Sequence, residues 1–264
     1  TTMTPLSSRN PRVQQLRTLL RQRNARDEAG LFVIEGSGLL AEALTNQATV
    51  QDVFVAEGAE LSAALTASID ASSTRTWELD PSVLASVAST SSPQPVLATV
   101  HMDDVSIQEA LSNDPTFVVV AAGVAEPGNA GTLIRTAAAA GADAVVFCDE
   151  PVDIFNPKVV RSSAGALFRT AVVRSALVPD VFGALSGAGF SAVGLAGEGS
   201  IDYTEIDYRS AVAIVVGNEA HGLGPEVVAA LDQLVKIPMA SGVESINVAA
   251  AAAIVCFEVG RQRR

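Results

Sequence analysis

The 264-residue chain contains little cysteine, histidine or lysine, and each scarcity excludes a class of protein. Its two cysteines, Cys148 and Cys256, lie far apart in apolar runs, which is typical of buried free thiols in a reduced compartment. Besides these there are only His101 and His221, and no CxxC or HExxH spacing occurs. The sequence therefore predicts a cytoplasmic protein without disulfides and without a metal site.

Long apolar runs are also missing. No stretch reaches the roughly 18 uninterrupted apolar residues that a membrane-spanning helix needs. The first residues, from Thr1 onward, have no apolar core of the kind found in an export signal. The chain is nevertheless 48% hydrophobic and only 17% charged, which indicates a globular protein of one large or two small domains that is neither exported nor membrane-bound.

Positive charge is scarce overall but concentrated at the two ends of the chain. Seventeen Lys+Arg against 29 Asp+Glu give a net charge of -12, which by itself argues against a nucleic-acid partner. Three arginines lie at the end of the sequence, Arg261, Arg263 and Arg264, and six lie near its start, namely Arg9, Arg12, Arg17, Arg21, Arg23 and Arg26. Val13, Leu16, Leu19 and Leu20 recur in the same segment at helical spacing, so we expect a helix that docks by its apolar stripe and turns its arginines outward, towards phosphates.

The first part of the chain alternates short apolar runs with helical patterns. We predict strands at 31–34, 50–55 and 96–100, and helices at 39–44 and 61–69. Residues 86–95 are small, polar and proline-bearing, which is typical of a loop. The pattern predicts a small α/β domain at 1–110 and a second domain at 111–264.

The second part reads as a larger α/β unit. Strands are predicted at 117–122, 144–147, 170–173, 191–195, 211–216 and 234–237. They show little alternation between apolar and polar residues, which indicates burial on both faces. Because helical stretches separate most of them, we expect a parallel sheet covered by helices, with ligands beyond the carboxyl ends of the strands.

A first candidate site motif opens a predicted helix. Asn129 is placed to cap it and Gly141 to end it. That interpretation does not explain Arg135, which lies about 9 Å along the axis in an otherwise apolar segment. A guanidinium there needs an anionic partner or ligand, such as a phosphate or a carboxylate.

Two further motifs follow predicted strands. Gly217-Asn218-Glu219, with Gly222 close behind, is a glycine-rich loop at a strand end, and alone it also suits any tight turn. Another motif runs from Ile237 to Val248, where Ser245 is a plausible N-cap for a helix that is apolar almost all round. Such a helix belongs in a core or a subunit interface, and the polar Asn247 at its start must find partners.

Taken in order, these segments resemble the SpoU, or TrmH-like, branch of the SPOUT RNA methyltransferases. The matching pieces are Pro127-Gly128-Asn129-Ala130-Gly131 with Arg135, Arg161-Ser162-Ser163-Ala164-Gly165, Gly217-Asn218-Glu219 with Gly222-Leu223, and Ile237-Pro238-Met239 with Glu244-Ser245-Ile246-Asn247-Val248. The resemblance covers residues 117–259. Near the start, Phe32-Val33-Ile34-Glu35-Gly36 with Ala41-Glu42-Ala43-Leu44 is similar to the L30e-like substrate-binding domain of the same enzymes.

This resemblance implies a fold and an activity. The fold is a C-terminal SPOUT domain, an α/β knot with a parallel sheet covered by helices, preceded by a small L30e-like α/β domain. The activity is transfer of a methyl group from S-adenosylmethionine to a ribose 2'-hydroxyl of RNA. The implied substrate is ribosomal RNA of the 23S type, with transfer RNA as the alternative, and the implied assembly is a homodimer without metal.

The resemblance also implies roles for particular residues. The catalytic set is Arg135, Asn129, Glu219, Ser245 and Asn247. The cofactor-binding set is Leu195, Gly217, Asn218, Ile237, Met239 and Ile246. The RNA-binding set is the six arginines of the N-terminal segment together with Arg161. A guanidinium stays protonated at any physiological pH, so we interpret Arg135 as holding a phosphate and stabilising a developing alkoxide.

Three other interpretations remain open at this point. The same fold can belong to a catalytically silent RNA-binding or ribosome-assembly factor, or to an enzyme that methylates a base and not a ribose. The acidic composition also suits a small-molecule enzyme of doubly wound type, but the glycines at 194, 197 and 199 do not form the GxGxxG pattern. Cofactor binding separates an enzyme from a silent factor.

Overall fold

The computed structural model describes residues 5–72, 74–90, 92–149 and 152–264. Its helices are α1 (Pro11–Arg21), α2 (Arg23–Ala29), α3 (Ser37–Thr45), α4 (Ala63–Asp70), α5 (Pro81–Val87), α6 (Ile107–Ala110), α7 (Pro127–Ala140), α8 (Pro157–Ser162), α9 (Val178–Gly187), α10 (Pro225–Ala229) and α11 (Val248–Gln262). Its strands are β1 (Leu31–Glu35), β2 (Val50–Ala56), β3 (Arg75–Leu79), β4 (Val96–His101), β5 (Phe117–Ala122), β6 (Ala144–Cys148), β7 (Ala171–Ala176), β8 (Ser191–Leu195), β9 (Ile201–Asp202), β10 (Val212–Val216) and β11 (Gln233–Lys236).

The chain divides into two compact units, and unit 1 comprises Thr1–Asp103 and Phe155–Phe168. Its sheet has the order β1-β4-β2-β3, in which β2 and β3 run parallel and the other neighbours antiparallel. The strands predicted at 31–34, 50–55 and 96–100 are confirmed, each one residue longer. β3 was not predicted, because Leu79 is its one fully buried residue and such an edge strand carries little apolar pattern.

The predicted arginine helix is two helices, broken at Gln22, whose backbone is extended. The apolar stripe is buried as predicted. The prediction that all six arginines face outward is wrong for Arg26, whose side chain is 3% exposed and donates to the carbonyl of Leu19. The break turns the second helix so that this guanidinium satisfies an end carbonyl of α1 that has no helical partner.

The other five arginines of that segment differ in their exposure and in their side-chain contacts. Arg9 and Arg21 are exposed, and Arg23 is paired with Asp27 at 3.6 Å. Arg12 lies 4.3 Å from the ring centre of Trp77, and Arg17 donates to Ser86 Oγ at 2.9 Å. Both are half-buried and help to hold α1 against the rest of the unit, so the predicted phosphate contacts of this segment would fall to its exposed members.

Unit 2 comprises Asp104–Ile154 and Arg169–Arg264. Its sheet has the order β7-β6-β5-β10-β8-β11-β9, and every pair of neighbours is parallel. The predicted parallel sheet covered by helices is confirmed, and β5, β6 and β10 are buried along their whole length. Residues 155–168, which the domain prediction placed in the second domain, pack within unit 1.

One C-terminal arginine fastens the end of α11 to the rest of unit 2, and another bonds within the helix. Arg263 donates to the carbonyls of Tyr208, Thr116 and Ser210 at 2.6 to 2.9 Å. Arg261 holds Glu258 at 2.7 Å, and this bond lowers the pKa of the carboxyl to about 2. These groups stabilise the last turn of the helix.

Both cysteines are buried free thiols, as predicted. Burial raises the pKa of Cys256 to about 12, and burial together with the charge of Asp149 does the same for Cys148. Thiols held in the protonated form are poor nucleophiles, so neither is a candidate for catalysis. Across the described ranges, no helix combines the length and apolar character needed to cross a bilayer.

Candidate active site

The three motifs meet at one edge of the unit 2 sheet. They follow the carboxyl ends of β5, β10 and β11, in a sheet where β10 and β8 lie between β5 and β11. In a parallel sheet these ends open on the same side. The sequence expectation that the motifs share one site is therefore matched by the topology.

A chain of hydrogen bonds links one side chain from each motif. Asn129 Nδ2 donates to Glu219 Oε1 at 2.9 Å, and Asn247 Nδ2 donates to Asn129 Oδ1 at 2.8 Å. Asn247 Oδ1 accepts from the backbone N–H groups of Ala249 and Ala250 at 2.9 and 3.2 Å. The chain thus runs from the β10 loop through α7 to the first turn of α11.

Groups at both ends of this chain set the direction of its bonds. A carboxylate accepts only, so Asn129 must turn its amide nitrogen towards it and its oxygen towards Asn247. Asn247 must then present its own nitrogen to Asn129 and its oxygen to the helix N–H groups. The carboxylate at one end and the N–H groups of Ala249 and Ala250 at the other, which can only donate, therefore require the same orientation of the two amides.

Glu219 is held by the backbone as well. Its two oxygens accept from the N–H groups of Ala125 at 3.2 Å and Glu126 at 3.1 Å. Burial raises the pKa of Glu219, but the bonds from Asn129 and from these N–H groups outweigh burial, and the net pKa is lowered. The carboxyl is therefore ionised at neutral pH, as its acceptor role requires.

Two of the predicted helix caps are wrong. α7 begins at Pro127, so Asn129 lies inside the first turn, where its side chain is used by Glu219 and Asn247. α11 is capped by Asn247, two residues after the exposed Ser245. The inference that Asn247 must find polar partners is confirmed, and Gly141 ends α7 in the left-handed conformation as predicted.

Arg135 stands on the exposed side of α7, two turns from its start. Among the described residues it forms neither a hydrogen bond nor an ion pair. It lies about 9 Å along the axis from Asn129. A free guanidinium at this distance from the hydrogen-bonded chain is placed to bind an anionic ligand, and its catalytic role stays a prediction.

The β10 loop is a tight turn built on glycine. Asn218 and Gly222 exchange two backbone hydrogen bonds of 2.9 Å, and a Cβ at Gly217 would lie 2.3 Å from the carbonyl oxygen of Gly222. The Asn218 side chain is already used, because it donates to Gly123 O and accepts from Ala220 and His221 N–H. Any contact of Gly217 or Asn218 with a cofactor therefore falls mainly to backbone groups.

The β11 loop supplies an exposed apolar surface. Met239, Val243 and Ile246 are 36%, 49% and 36% exposed, whereas large apolar side chains are usually buried. Gly197, in the loop after β8, would place a Cβ 3.9 Å from the carbonyl oxygen of Glu244. An apolar surface beside open backbone groups fits an adenine ring, whose faces are apolar and whose edge needs hydrogen bonds.

The positions of the other cofactor candidates agree with this arrangement. Leu195 is the half-buried last residue of β8, and Ile237 is the half-buried first residue after β11. Both lie at the same edge as the loops above. Their contact with a cofactor stays a prediction.

Sequence reasoning missed two parts of the site. The N–H groups of Ala125 and Glu126 are backbone donors, for which no residue type is a signal. Asp149 follows β6 with a positive φ of 58°, and its Oδ2 would lie 3.6 Å from a Cβ at either Gly123 or Gly224. A polar residue directly after a buried strand was the available signal for this carboxylate.

Family comparisons cover both parts of the chain. A model of the SpoU rRNA Methylase family matches residues 116–257. A model of the MRM3-like substrate binding domain matches residues 10–98. The first match includes all three motifs of the site.

Similar proteins span nearly the whole chain. The 23S rRNA (guanosine(2553)-2'-O)-methyltransferase RlmP of Bacillus subtilis is 32% identical over 96% of this chain and 97% of its own. A 23S rRNA (uridine(2479)-2'-O)-methyltransferase of Streptomyces viridochromogenes is 30% identical over 98% of this chain and 92% of its own. The crystal structure of the SpoU methyltransferase AviRb from the same species, in complex with the cofactor AdoMet, superposes with a TM-score of 0.88 at 30% identity, covering 97% of this chain and 98% of that one.

Proposed function

The chain belongs to the SpoU rRNA methylase family, and from that membership we propose that it methylates a ribose 2'-hydroxyl of 23S ribosomal RNA. It is an S-adenosylmethionine-dependent RNA 2'-O-methyltransferase with the SPOUT type of fold. The site observation that supports this activity is the chain of bonds from Glu219 through Asn129 to Asn247, with an exposed Arg135 about 9 Å further along α7. We expect it to act in the cytoplasm, where bacterial ribosomal RNA is made.

The proposed cofactor site consists of the loops after β8, β10 and β11. Leu195, Ile237, Met239 and Ile246 would contact the adenine, while backbone groups of Gly217 and Asn218 would bind its polar edge or the ribose. When bound, S-adenosylmethionine supplies a methyl group on a positively charged sulfur, which the 2'-oxygen attacks as the carbon–sulfur bond breaks. The residues of this chain have to position the ribose and help its hydroxyl lose a proton.

Arg135 performs the electrostatic part of this task in our proposal. Its guanidinium binds the phosphate next to the target ribose and stabilises the negative charge that develops on the 2'-oxygen. Asn129, Asn247 and Ser245 position the ribose, and Glu219 orients the two amides. The N-terminal segment and Arg161 bind RNA phosphates without reading base identity.

We also propose the homodimer and the knotted topology of the family. A Cβ at Gly199 would lie 2.5 Å from the backbone of Val235, so the segment before β9 packs directly against β11. α11 supports the dimer. One of its faces packs on α7, with Gly260 against the carbonyl of Ala140, while Ile254 and Phe257 on the helix are 37% and 45% exposed.

Replacing Phe257 by glutamate is expected to convert the dimer into a monomer. A charge in the middle of an apolar interface is desolvated without a partner, which weakens association by about 100-fold. Sedimentation velocity measures the change directly. The matched control is Leu177→Glu, because Leu177 is a solitary apolar residue, 68% exposed, at the start of α9, and its replacement should leave the mass unchanged. An unchanged dimer in the Phe257 variant would exclude this face.

The activity itself is tested with tritiated S-adenosylmethionine. The purified protein is incubated with separate pools of ribosomal and transfer RNA, and the products are digested to nucleosides and identified by mass spectrometry. We expect a 2'-O-methylnucleoside in the ribosomal pool. Label in transfer RNA alone would overturn the substrate, a methylated base would overturn the chemistry, and failure to bind the cofactor in calorimetry would overturn the enzymatic function.

A further inference from the structure

Unit 1 contains a buried carboxylate that the proposed mechanism does not use. Glu35 is the last residue of β1 and is 8% exposed. Its Oε2 accepts from the N–H and the Oγ of Ser89 at 3.2 and 2.9 Å, and its Oε1 accepts from Thr90 Oγ1. It forms no ion pair with any described residue. A buried carboxylate held only by neutral donors is uncommon, and here all its described bonds go to the turn that follows α5.

Because the Ser89 hydroxyl donates its hydrogen to Glu35, it can only accept hydrogen bonds from other groups. The hydroxyl hydrogen points at Glu35, so only the oxygen lone pairs remain available on the other side. Arg161 Nη1 donates to that oxygen. Because the carboxylate polarises the hydroxyl, the Ser89 oxygen is a stronger acceptor than an isolated serine would provide.

Arg161 is carried by a segment that is firmly seated in unit 1. Phe32 of β1 packs on Phe155 and Phe168, with ring centres 4.7 and 6.2 Å away. Gly165 has a φ of 87°, and a Cβ there would lie 2.7 Å from Glu42 Cγ, so only glycine permits this close approach. The backbone position of α8 is therefore set by packing, and Ser89 has only to fix the direction of the long arginine side chain.

The guanidinium keeps most of its binding capacity. Arg161 is half-buried, and in the described ranges its guanidinium has one hydrogen bond and no ion pair. A guanidinium has five N–H donors arranged as a planar fork that suits a phosphate. This guanidinium is oriented by one hydrogen bond, and no described carboxylate neutralises its charge. Both properties favour binding of an RNA phosphate, because an oriented side chain loses less conformational freedom on binding than a mobile one.

We propose that Glu35 is a positioning residue, which through the Ser89 hydroxyl holds Arg161 in place to bind a phosphate of the RNA substrate. The inference rests on the proposed function, because it takes RNA as the ligand. It joins two sequence motifs, one around Glu35 and one at Arg161, that the methyl transfer step itself does not need.

A double-mutant cycle between Ser89→Ala and Arg161→Ala tests the proposal. Affinity for in vitro transcribed 23S ribosomal RNA is measured over a range of salt concentrations, and kcat and KM are measured with saturating cofactor. We expect Arg161→Ala to weaken RNA binding about 10-fold and to lower the slope of log K against log salt by about one. Ser89→Ala should weaken binding about 3-fold in the native background and not at all in the Arg161→Ala background. In the kinetic measurements, each of the two single variants should raise KM for the RNA and leave kcat unchanged.

Glu35→Gln extends the cycle to the buried group. An amide offers one acceptor oxygen in place of two, so it cannot hold both hydroxyls as the carboxylate does. We expect about a 3-fold loss of RNA affinity that also disappears in the Arg161→Ala background. A merely structural Glu35 would lower the melting temperature and weaken binding equally in both backgrounds, and that result would overturn the proposal. Because Ser89 is exposed, its variant decides the question even where the Glu35 variant fails to fold.

The control and the premise are tested separately. Ser68→Ala is the matched control, because the Ser68 hydroxyl bonds only the carbonyl of Ala64 in its own helix, and we expect no change in RNA binding. An unchanged salt slope in Arg161→Ala would exclude the phosphate contact. Failure of the unmodified protein to bind or methylate RNA would instead overturn the proposed function, and cofactor affinity measured by calorimetry distinguishes the two failures.

Discussion

Arg135→Ala is expected to lower kcat for methylation of ribosomal RNA by about 100- to 1000-fold. The variant loses a charge that acts on the developing alkoxide, and losses of this size follow the removal of a single preorganised donor. Because Arg135 is exposed and has no described partner on the protein, its removal should leave folding and cofactor affinity unchanged. Single-turnover kinetics with tritiated cofactor measure the chemical step, and calorimetry measures cofactor binding.

Arg135→Lys separates charge from shape. Lysine keeps the charge but is a single point donor, so it cannot bind a phosphate and the reacting oxygen with a planar fork. We expect recovery of no more than about a tenth of the lost rate. Full recovery would contradict a role for the fork, and a fully active alanine variant would exclude Arg135 from catalysis. Arg209→Ala is the control, since that arginine is 72% exposed and precedes β10, and Asp207 is its one ion-pair partner in the described part of the chain.

The sequence predicted the sheet and the placement of the motifs because both follow from local rules. Uninterrupted apolar runs indicate strands buried on both faces, and parallel strands bring their carboxyl ends to one edge. Asn247 was found by the same kind of reasoning, since a polar side chain at the start of an apolar helix has to be satisfied. Its partner, Asn129, lies 118 residues away, and no local pattern carries that information.

Two of the errors share one cause, which is competition for hydrogen-bonding groups. Asn129 was predicted to cap α7 because asparagine does so well, but Glu219 and Asn247 engage both ends of its amide. Arg26 was predicted to face solvent, yet it satisfies a helix-end carbonyl inside unit 1. Propensity describes what a residue does without tertiary partners, and Asn129 acquired its partners only when distant segments met, whereas Arg26 acquired its partner when the chain turned at Gln22.

Glu219→Ala is expected to lower kcat by about 100-fold, although Glu219 itself need not touch the ribose. Without the carboxylate, the amide nitrogen of Asn129 loses its acceptor, and among the three linked side chains only Asn247 still holds Asn129. Asn129 then moves more freely, and Asn247, which donates to it, is less firmly placed, so two side chains that position substrate lose part of their orientation. We expect the same loss in Asn129→Ala, and no further loss when the two changes are combined.

Glu219→Gln and a pH profile complete the test. The glutamine side chain would place an amide donor where the three neighbouring groups, the N–H groups of Ala125 and Glu126 and the amide of Asn129, are also donors. The activity of the Glu219→Gln variant should therefore fall between those of the native and alanine proteins.

The folded-state pKa of Glu219 is below its ordinary value of 4.5, so the contribution of this carboxylate to kcat is fully present above that pH and is lost only as the pH falls through the lowered value. The kcat profile should therefore show no loss attributable to this group between about pH 5 and 8. Glu226→Gln, an exposed carboxylate in the first turn of α10, is the control. Additive losses in the Asn129 and Glu219 pair would show that the two act separately, and the oriented chain would then not be the reason for their position.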